Sequence, residues 1–417
     1  MIYRKLFIFI SFTFYIITAL CQTSGASGNT ILPGAYRTDI YLPYLKGEKV
    51  GVFANQTSVV GQTHLVDTLR KLGVNIVKIF APEHGFRGTA GAGEELNNDT
   101  DKQTGIPIIS LYGKKVKPTA ADLKDVDVLV FDIQDVGVRF YTYLSSLQYF
   151  MEGAFENGKP LFILDRPNPN GFYIDGPVLD TAYKSFVGMQ PIPVVYGMTI
   201  GEYARMIAGE QWLSDSANKV YRYYEHAKAT KDTPIHFVVI KCAGYTHNSK
   251  YQLPVAPSPN LTTMHAVYMY PSTCFFEGTN MSEGRGTAHP FEIFGHPSLP
   301  NNLFAFTPQS TSAAKEPKLK NQLCYGWTIT DAPVKQQLQL HWMLQAYQMF
   351  PIKDSFFIQP KSNKLTDYFF NKLAGNSTLM QQIISSKSEV QIRESWQAPL
   401  EAFKSIRKKY LLYTDFE

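Results

Sequence analysis

The chain has 417 residues, of which 44% are hydrophobic and 18% charged, so it has the length of two or three domains and is too apolar for wholesale disorder. Its formal net charge of +5 falls to +3 without Arg4 and Lys5 of a leader, and Arg407-Lys408-Lys409 is its one dense basic run, which argues against nucleic acid as a partner. Cys21, Cys242, Cys274 and Cys324 are widely spaced with no Cys-x-x-Cys, which argues against a disulfide framework and structural zinc.

Residues 1–21 read as a signal peptide. Arg4 and Lys5 precede an apolar run over 6–20, too short for a stable membrane span, and Ala19 and Cys21 suit a signal-peptidase cut before Gln22. Export to the periplasm follows. Lipidation at Cys21 is the weaker alternative, because Leu20 is bulky where a small residue is usual. With Cys21 gone, one disulfide or three buried thiols remain open. Residues 22–35, rich in Ser, Gly and Thr, read as a linker.

Apolar runs then alternate with helical spacing. Strands are expected at 49–54, 75–80, 106–111, 126–131 and 160–164, with helices through Leu65, Leu69 and Leu72 and over 143–157. Strands apolar throughout, interleaved with helices, predict a parallel sheet covered on both faces: an α/β, doubly wound, Rossmann-like domain over 36–252. A helix at 199–207 and a strand at 235–241 complete it. The proline-rich stretch 253–261 marks the boundary, and 262–417 reads as a smaller α+β domain with helices at 336–349, 365–373 and 398–410. Residues 301–360 carry no usable motif.

Three expected strands run into polar turns: Ala81-Pro82-Glu83-His84-Gly85, Asp132-Ile133-Gln134-Asp135 and Asp165-Arg166-Pro167-Asn168. Ligands of open parallel sheets sit outside the carboxyl ends of the strands, so Glu83, Asp132 or Asp135, and Asp165 are brought to one rim. A single Asp there would be read as a helix cap; three such turns argue for a site. Several carboxylates suit glycoside hydrolysis, with one acid and one base or nucleophile, or divalent-metal binding. The absence of His-Glu-x-x-His disfavours metal, and the absence of Gly-x-Ser-x-Gly disfavours a serine esterase. The Gly-rich stretch 85–98 reads as a mobile loop beside Glu83. In the second domain, Glu277, Asn280, Ser282, Glu283 and Arg285 crowd a Gly-rich segment over 275–287, where a guanidinium can hold a carboxylate.

Taken together, Phe53-Ala54-Asn55-Gln56-Thr57-Ser58, Ala81-Pro82-Glu83-His84-Gly85-Phe86-Arg87-Gly88, the run from Phe131 to Tyr143, Leu164-Asp165-Arg166-Pro167-Asn168-Pro169 and the run from Phe276 to Thr287 resemble the NamZ-type exo-β-N-acetylmuramidase family. The resemblance covers roughly residues 33–415. It implies a Rossmann-like domain and a smaller one with the site in the cleft between. It also implies exo-cleavage of non-reducing terminal N-acetylmuramic acid from β-1,4-linked wall chains, with muramoyl oligosaccharides as partners; no cofactor, metal or stable protein partner is expected. Glu83 matches the family's proposed catalytic residue and is expected to be the general acid. His84 is expected to position it or hold the turn, and Asp132 or Asp135 to be a second carboxylate or a group that orients the substrate's acetamido arm. Arg139, Arg166 and Arg285 are candidates for the lactyl carboxylate. One of Tyr141 and Tyr143 is expected to face the cleft, Asn168 and Asn280 to bind hydroxyls, and Asn55, Arg87, Asp165, Glu277, Ser282 and Glu283 to join the substrate-binding set. Two rival readings are a non-enzymatic wall-fragment binding protein and a metal-dependent hydrolase or esterase of wall sugars.

Overall fold

In the computed structural model, which describes residues 30–88, 97–229 and 236–417, the predicted alternation folds into a seven-stranded sheet. The leader, most of the linker and the centre of the 85–98 loop lie outside the described residues. From one edge the strands are Asp99–Thr100, Pro107–Ser110, Asn75–Ala81, Lys49–Ala54, Val128–Asp132, Leu161–Leu164 and Phe237–Ile240. All pairings are parallel except that of Asp99–Thr100, an edge strand the sequence did not announce. Counted along the chain, the six parallel strands stand in the order 3-2-1-4-5-6, so the winding reverses between Lys49–Ala54 and Val128–Asp132.

The strands are apolar on both sides because both faces are covered. Val50, Val52, Val128, Val130, Phe162 and Leu164 enter one core with Leu65, Val66 and Leu69 of the Leu65–Lys71 helix. The alternate residues Phe53, Leu129, Phe131, Leu161 and Ile163 enter the other, against the helices Tyr143–Glu156 and Ile200–Gly209. Ile200–Gly209 starts at a capping box of Thr199 and Glu202. Among the helices without an expectation are Asp215–Ala229 and Met264–Thr273. The latter contains Pro271, which cannot donate to the carbonyl of Val267; the Asn170 side-chain amide donates to that carbonyl instead, at 3.1 Å.

Residues 262–417 add a three-stranded antiparallel sheet, Ile293–His296, Cys324–Thr328 and Phe304–Phe306, with Cys324–Thr328 in the centre. Two of these strands, and the helix His341–Met349, come from the stretch without motifs. The expected helix at 365–373 is broken: a 3₁₀ turn, Leu365–Asp367, precedes Phe369–Ala374 because Tyr368 is extended between them. The fold is therefore α/β with a second domain. The first core continues without a break into Phe276, Phe294, Trp342, Phe370 and Phe403, and Ile31–Glu417 forms one compact unit. Cys242, Cys274 and Cys324 are free and buried; burial pushes the Cys324 thiol up to about 12. Among the described residues, no helix is long and apolar enough to cross a membrane.

Candidate active site

Three loops at the carboxyl ends of adjacent strands interlock at the winding reversal. Asn55 Oδ1 accepts from the Thr57 N–H at 2.9 Å and the Thr57 hydroxyl at 2.6 Å, while Asn55 Nδ2 donates to the Tyr143 hydroxyl at 2.8 Å. The Ser58 hydroxyl donates to the Asp132 carbonyl at 2.5 Å, and the Gln134 N–H donates to Thr57 Oγ1 at 3.0 Å. The Arg166 fork grips the Asp132 carboxylate through Nε and Nη2 at 2.6 and 2.8 Å, both side chains fully buried. This reversal is where doubly wound sheets admit a ligand. Here the chain's own side chains fill it.

Glu83 emerges one strand away, on a turn closed by the Gly85 N–H onto the Pro82 carbonyl at 3.0 Å. His84 takes φ 69° and Gly85 φ 75°. The left-handed region costs a non-glycine residue roughly 1 kcal/mol, and such strain gathers at functional sites. The turn offers the Glu83 carboxylate to two hydroxyls: Tyr112 donates to Oε1 at 2.9 Å and Thr142 to Oε2 at 3.0 Å. Thr142 is the residue before the first turn of the Tyr143–Glu156 helix, and its hydroxyl bonds Glu83 rather than a helix N–H. Glu83 thus lies beside the N-terminus of that helix.

A cavity of about 130 Å³ opens in front of Glu83 and His84. Tyr112, Phe140, Tyr141, Thr142 and Tyr143 wall one side; Ser258 and Leu261 come from the proline-rich crossing; Tyr270, Glu277, Arg285 and Phe291 come from the second domain. Arg285 donates to Glu277 at 2.5 Å through Nη2, approaches Glu283 at 3.3 Å through Nε, and lies 5.0 Å from the Phe291 ring centre. Burial opposes its charge, but Glu277 and Glu283 more than offset this and hold its pKa above the ordinary value. Burial pushes the Glu283 carboxyl up, yet Lys318 at 2.9 Å and Arg285 keep it below its usual range. Gly284 and Gly286, at φ 81° and 80°, shape the Arg285 turn; a Cβ on either would meet a backbone oxygen, of Ile293 or Gln309.

Of the residues expected at the site, Glu83, His84, Tyr141, Glu277 and Arg285 line this cavity. Both Tyr141 and Tyr143 face it, where alternation would have sent one away, because Tyr143 already begins a helix. The other expected residues stand apart from it. Asp132 and Arg166 satisfy each other, and neither lines the cavity. Asp135 is buried, accepting from the Gly137 N–H at 2.6 Å and the Tyr196 hydroxyl at 2.5 Å; burial raises its pKa to about 6. Asp165 accepts from Thr199, Gly201 and Tyr413, and burial lifts its pKa to about 7. Arg139 donates to the carbonyls of Pro177, Ile192 and Leu373, and burial lowers its pKa to about 9. Asn168 donates to the Met198 carbonyl, and Asn55 holds Tyr143 from behind. Arg87 pairs with Asp101 at 3.0 Å and Asp67 at 3.5 Å. Asn280 donates to the Ser355 carbonyl, Ser282 bridges Gly295, and Glu283 lies under Arg285. Tyr112, Thr142, Tyr270 and Phe291 carried no expectation. Tyr112 follows a strand end just as Glu83 does, a signal open to sequence reading; Tyr270 lies mid-helix and shows none. Among the described residues, no three His, Cys, Asp or Glu side chains converge as metal ligands would.

Two family models match consecutive stretches of the chain. Residues 50–265 match the family model described as exo-beta-N-acetylmuramidase NamZ, N-terminal, and residues 268–413 its C-terminal counterpart. The chain is 37% identical over 410 residues to the peptidoglycan beta-N-acetylmuramidase NamZ of Bacillus subtilis (strain 168), covering 92% of this chain and 90% of the relative. It is also similar to two solved DUF1343 family proteins of Bacteroides fragilis. One is 42% identical with a TM-score of 0.80, covering 93% of this chain and 99% of that one; the other is 29% identical with a TM-score of 0.74, covering 92% and 99%. The chain belongs to the NamZ exo-β-N-acetylmuramidase family.

Proposed function

We propose that this protein is an exo-acting glycoside hydrolase that releases non-reducing terminal N-acetylmuramic acid from β-1,4-linked peptidoglycan fragments, in cell-wall turnover and recycling. One observation carries the site assignment: a strand-end glutamate, gripped on both oxygens by hydroxyls, faces an arginine–glutamate pair across a cavity walled by both domains. The active site is the cleft between the domains.

Glu83 is the general acid: its proton passes to the glycosidic oxygen as the bond to the anomeric carbon breaks, and a water molecule in the end supplies the hydroxyl on that carbon and the proton that restores the acid. Hydroxyls rotate to suit their partner. The Tyr112 and Thr142 hydroxyls therefore accommodate protonated Glu83 before transfer and donate to its carboxylate afterwards, stabilising the state that follows proton loss. His84 shapes the turn that aims the acid. Glu277 is the second carboxylate of the pocket, in the place expected for Asp132 or Asp135. Arg285 is the cation for the lactyl carboxylate. The apolar run behind Arg4 and Lys5 supports export to the periplasm, with cleavage before Gln22.

The test is turnover of a chromogenic β-N-acetylmuramide, with the matching β-N-acetylglucosaminide alongside and a chelator in parallel. Release from the muramide alone, indifferent to chelator, is expected, and Glu83→Gln loses about 10²–10⁴-fold in kcat while folding normally. Binding of wall fragments without release would replace the enzyme with a binding protein. Loss of activity in chelator would replace it with a metal-dependent hydrolase.

A further inference from the structure

Aromatic side chains continue beyond the pocket in one direction. The Tyr112 ring, whose hydroxyl holds Glu83, lies 6.0 Å from the Phe186 ring, and Phe186 stacks on Tyr149 at 6.3 Å and 14°. All three rings are half-buried, and neither Phe186 nor Tyr149 lines the pocket itself. Phe186 stands at the tip of a tight turn in which Ser185 and Gly188 exchange backbone hydrogen bonds at 2.9 and 3.0 Å. The Ser145 hydroxyl pins that turn by donating to the Phe186 carbonyl at 2.8 Å, and Gly188 rests against Leu179. Ser145 and Tyr149 are four residues apart on one face of the helix whose N-terminus meets Glu83. The aromatic corner is thus built onto the same element as the acid and is held in place before any ligand arrives.

The direction of this corner has a chemical meaning. A general acid sits beside the oxygen between the terminal sugar and the rest of the chain, so rings that continue from it outside the pocket for the terminal sugar are placed to meet the leaving glycan. Pyranose rings carry apolar C–H faces edged by hydroxyls, and a ring face of Phe or Tyr matches such a face with little loss of side-chain freedom. We infer that Tyr112, Phe186 and Tyr149 form a subsite for the leaving glycan, binding the first sugars of a β-1,4-linked N-acetylhexosamine chain on the reducing-end side of the cut. The inference rests on the glycosidase reading above, and it predicts an enzyme that reads more than the terminal sugar.

The test measures kcat and KM of the wild type, Phe186→Ala and Tyr149→Ala on a muramic-acid-terminated disaccharide and tetrasaccharide, together with inhibition by free N-acetylmuramic acid. The wild type is expected to show a lower KM for the longer glycan. Both variants should raise that KM roughly three- to tenfold, the loss falling on KM rather than kcat, and shrink the advantage of length. Inhibition by the free monosaccharide, which reports the terminal pocket, stays as in wild type, and Phe186→Tyr restores the KM. Wild-type KM values in Phe186→Ala on both glycans would overturn the subsite. So would an equal loss on both with weakened monosaccharide inhibition, the mark of a general structural change. Absence of muramic acid release by the wild type would instead overturn the glycosidase reading, and the subsite with it.

Discussion

Arg285 shows how a single residue acquires a role only through its partners. Three arginines stood near the expected rim, and all three have the planar fork suited to a carboxylate. Arg139 and Arg166 are buried and already held, one by three carbonyls and the other by Asp132. Arg285 alone of the three lines the pocket, charged and oriented by Glu277 and Glu283. Arg285→Ala is therefore expected to cut kcat/KM on muramoyl substrates by roughly 10–100-fold, the worth of a charge-assisted hydrogen bond, and to affect glucosaminyl analogues much less. Equal loss on both substrates would remove Arg285 as the reader of the lactyl group.

Between elements, the important contact is the Asp132–Arg166 pair. It ties the end of Val128–Asp132 to the loop after Leu161–Leu164, and Arg166 also donates to the Val59 carbonyl at 3.2 Å. A buried pair is hard to break because either partner left alone is an uncompensated charge. Asp132→Ala should cost about 3–5 kcal/mol of stability, measured by denaturant unfolding, while the protein that remains folded keeps its turnover. Unchanged stability with lost turnover would return Asp132 to the chemistry.

At the scale of the whole molecule, buried carboxyls make stability depend on pH. Burial lifts Asp135 from the usual 3.8 to about 6 and Asp165 to about 7. Each keeps a proton in the native state that the unfolded chain has released, so their stabilisation is complete below pH about 4 and is lost as pH rises toward 6 and 7. Asp165 is reached from the far end of the chain, since Tyr413 donates to it at 2.6 Å while Asp415 pairs with Arg407, so the C-terminal segment closes over this buried group. Asp135 Oδ1 has no hydrogen-bond partner among the described residues, so an Asn there keeps the bonds from Gly137 and Tyr196 through its oxygen while its amide N–H groups gain no acceptor. Asp135→Asn should lessen the decline in stability between pH 4 and 7, leaving the part due to Asp165, read from unfolding curves across that range. A wild-type slope in the variant would show that Asp135 does not titrate there.

The sheet was legible in the sequence because burial on both faces leaves continuous apolar runs, and Lys49–Ala54 appears with the expected bounds. The position of Glu83 was legible as well, since a polar turn behind a buried strand opens onto the ligand-binding edge of such a sheet. Helices such as Met264–Thr273 were not, because Pro271 looks like a breaker until Asn170, distant in sequence, supplies the missing donor. The same holds for the roles of the acids. Asp132, Asp135 and Asp165 follow strands as Glu83 does, and nothing local separates a carboxylate that opens onto the cavity from one that anchors a loop. Tyr112 and Thr142, which hold Glu83, lie 29 and 59 residues from it in sequence. Periodicity and turn chemistry act over a few residues and are written along the chain. The choice of partner, and whether a carboxylate meets a cation, a hydroxyl or open space, is made by packing between distant segments, so the tertiary structure alone decided it.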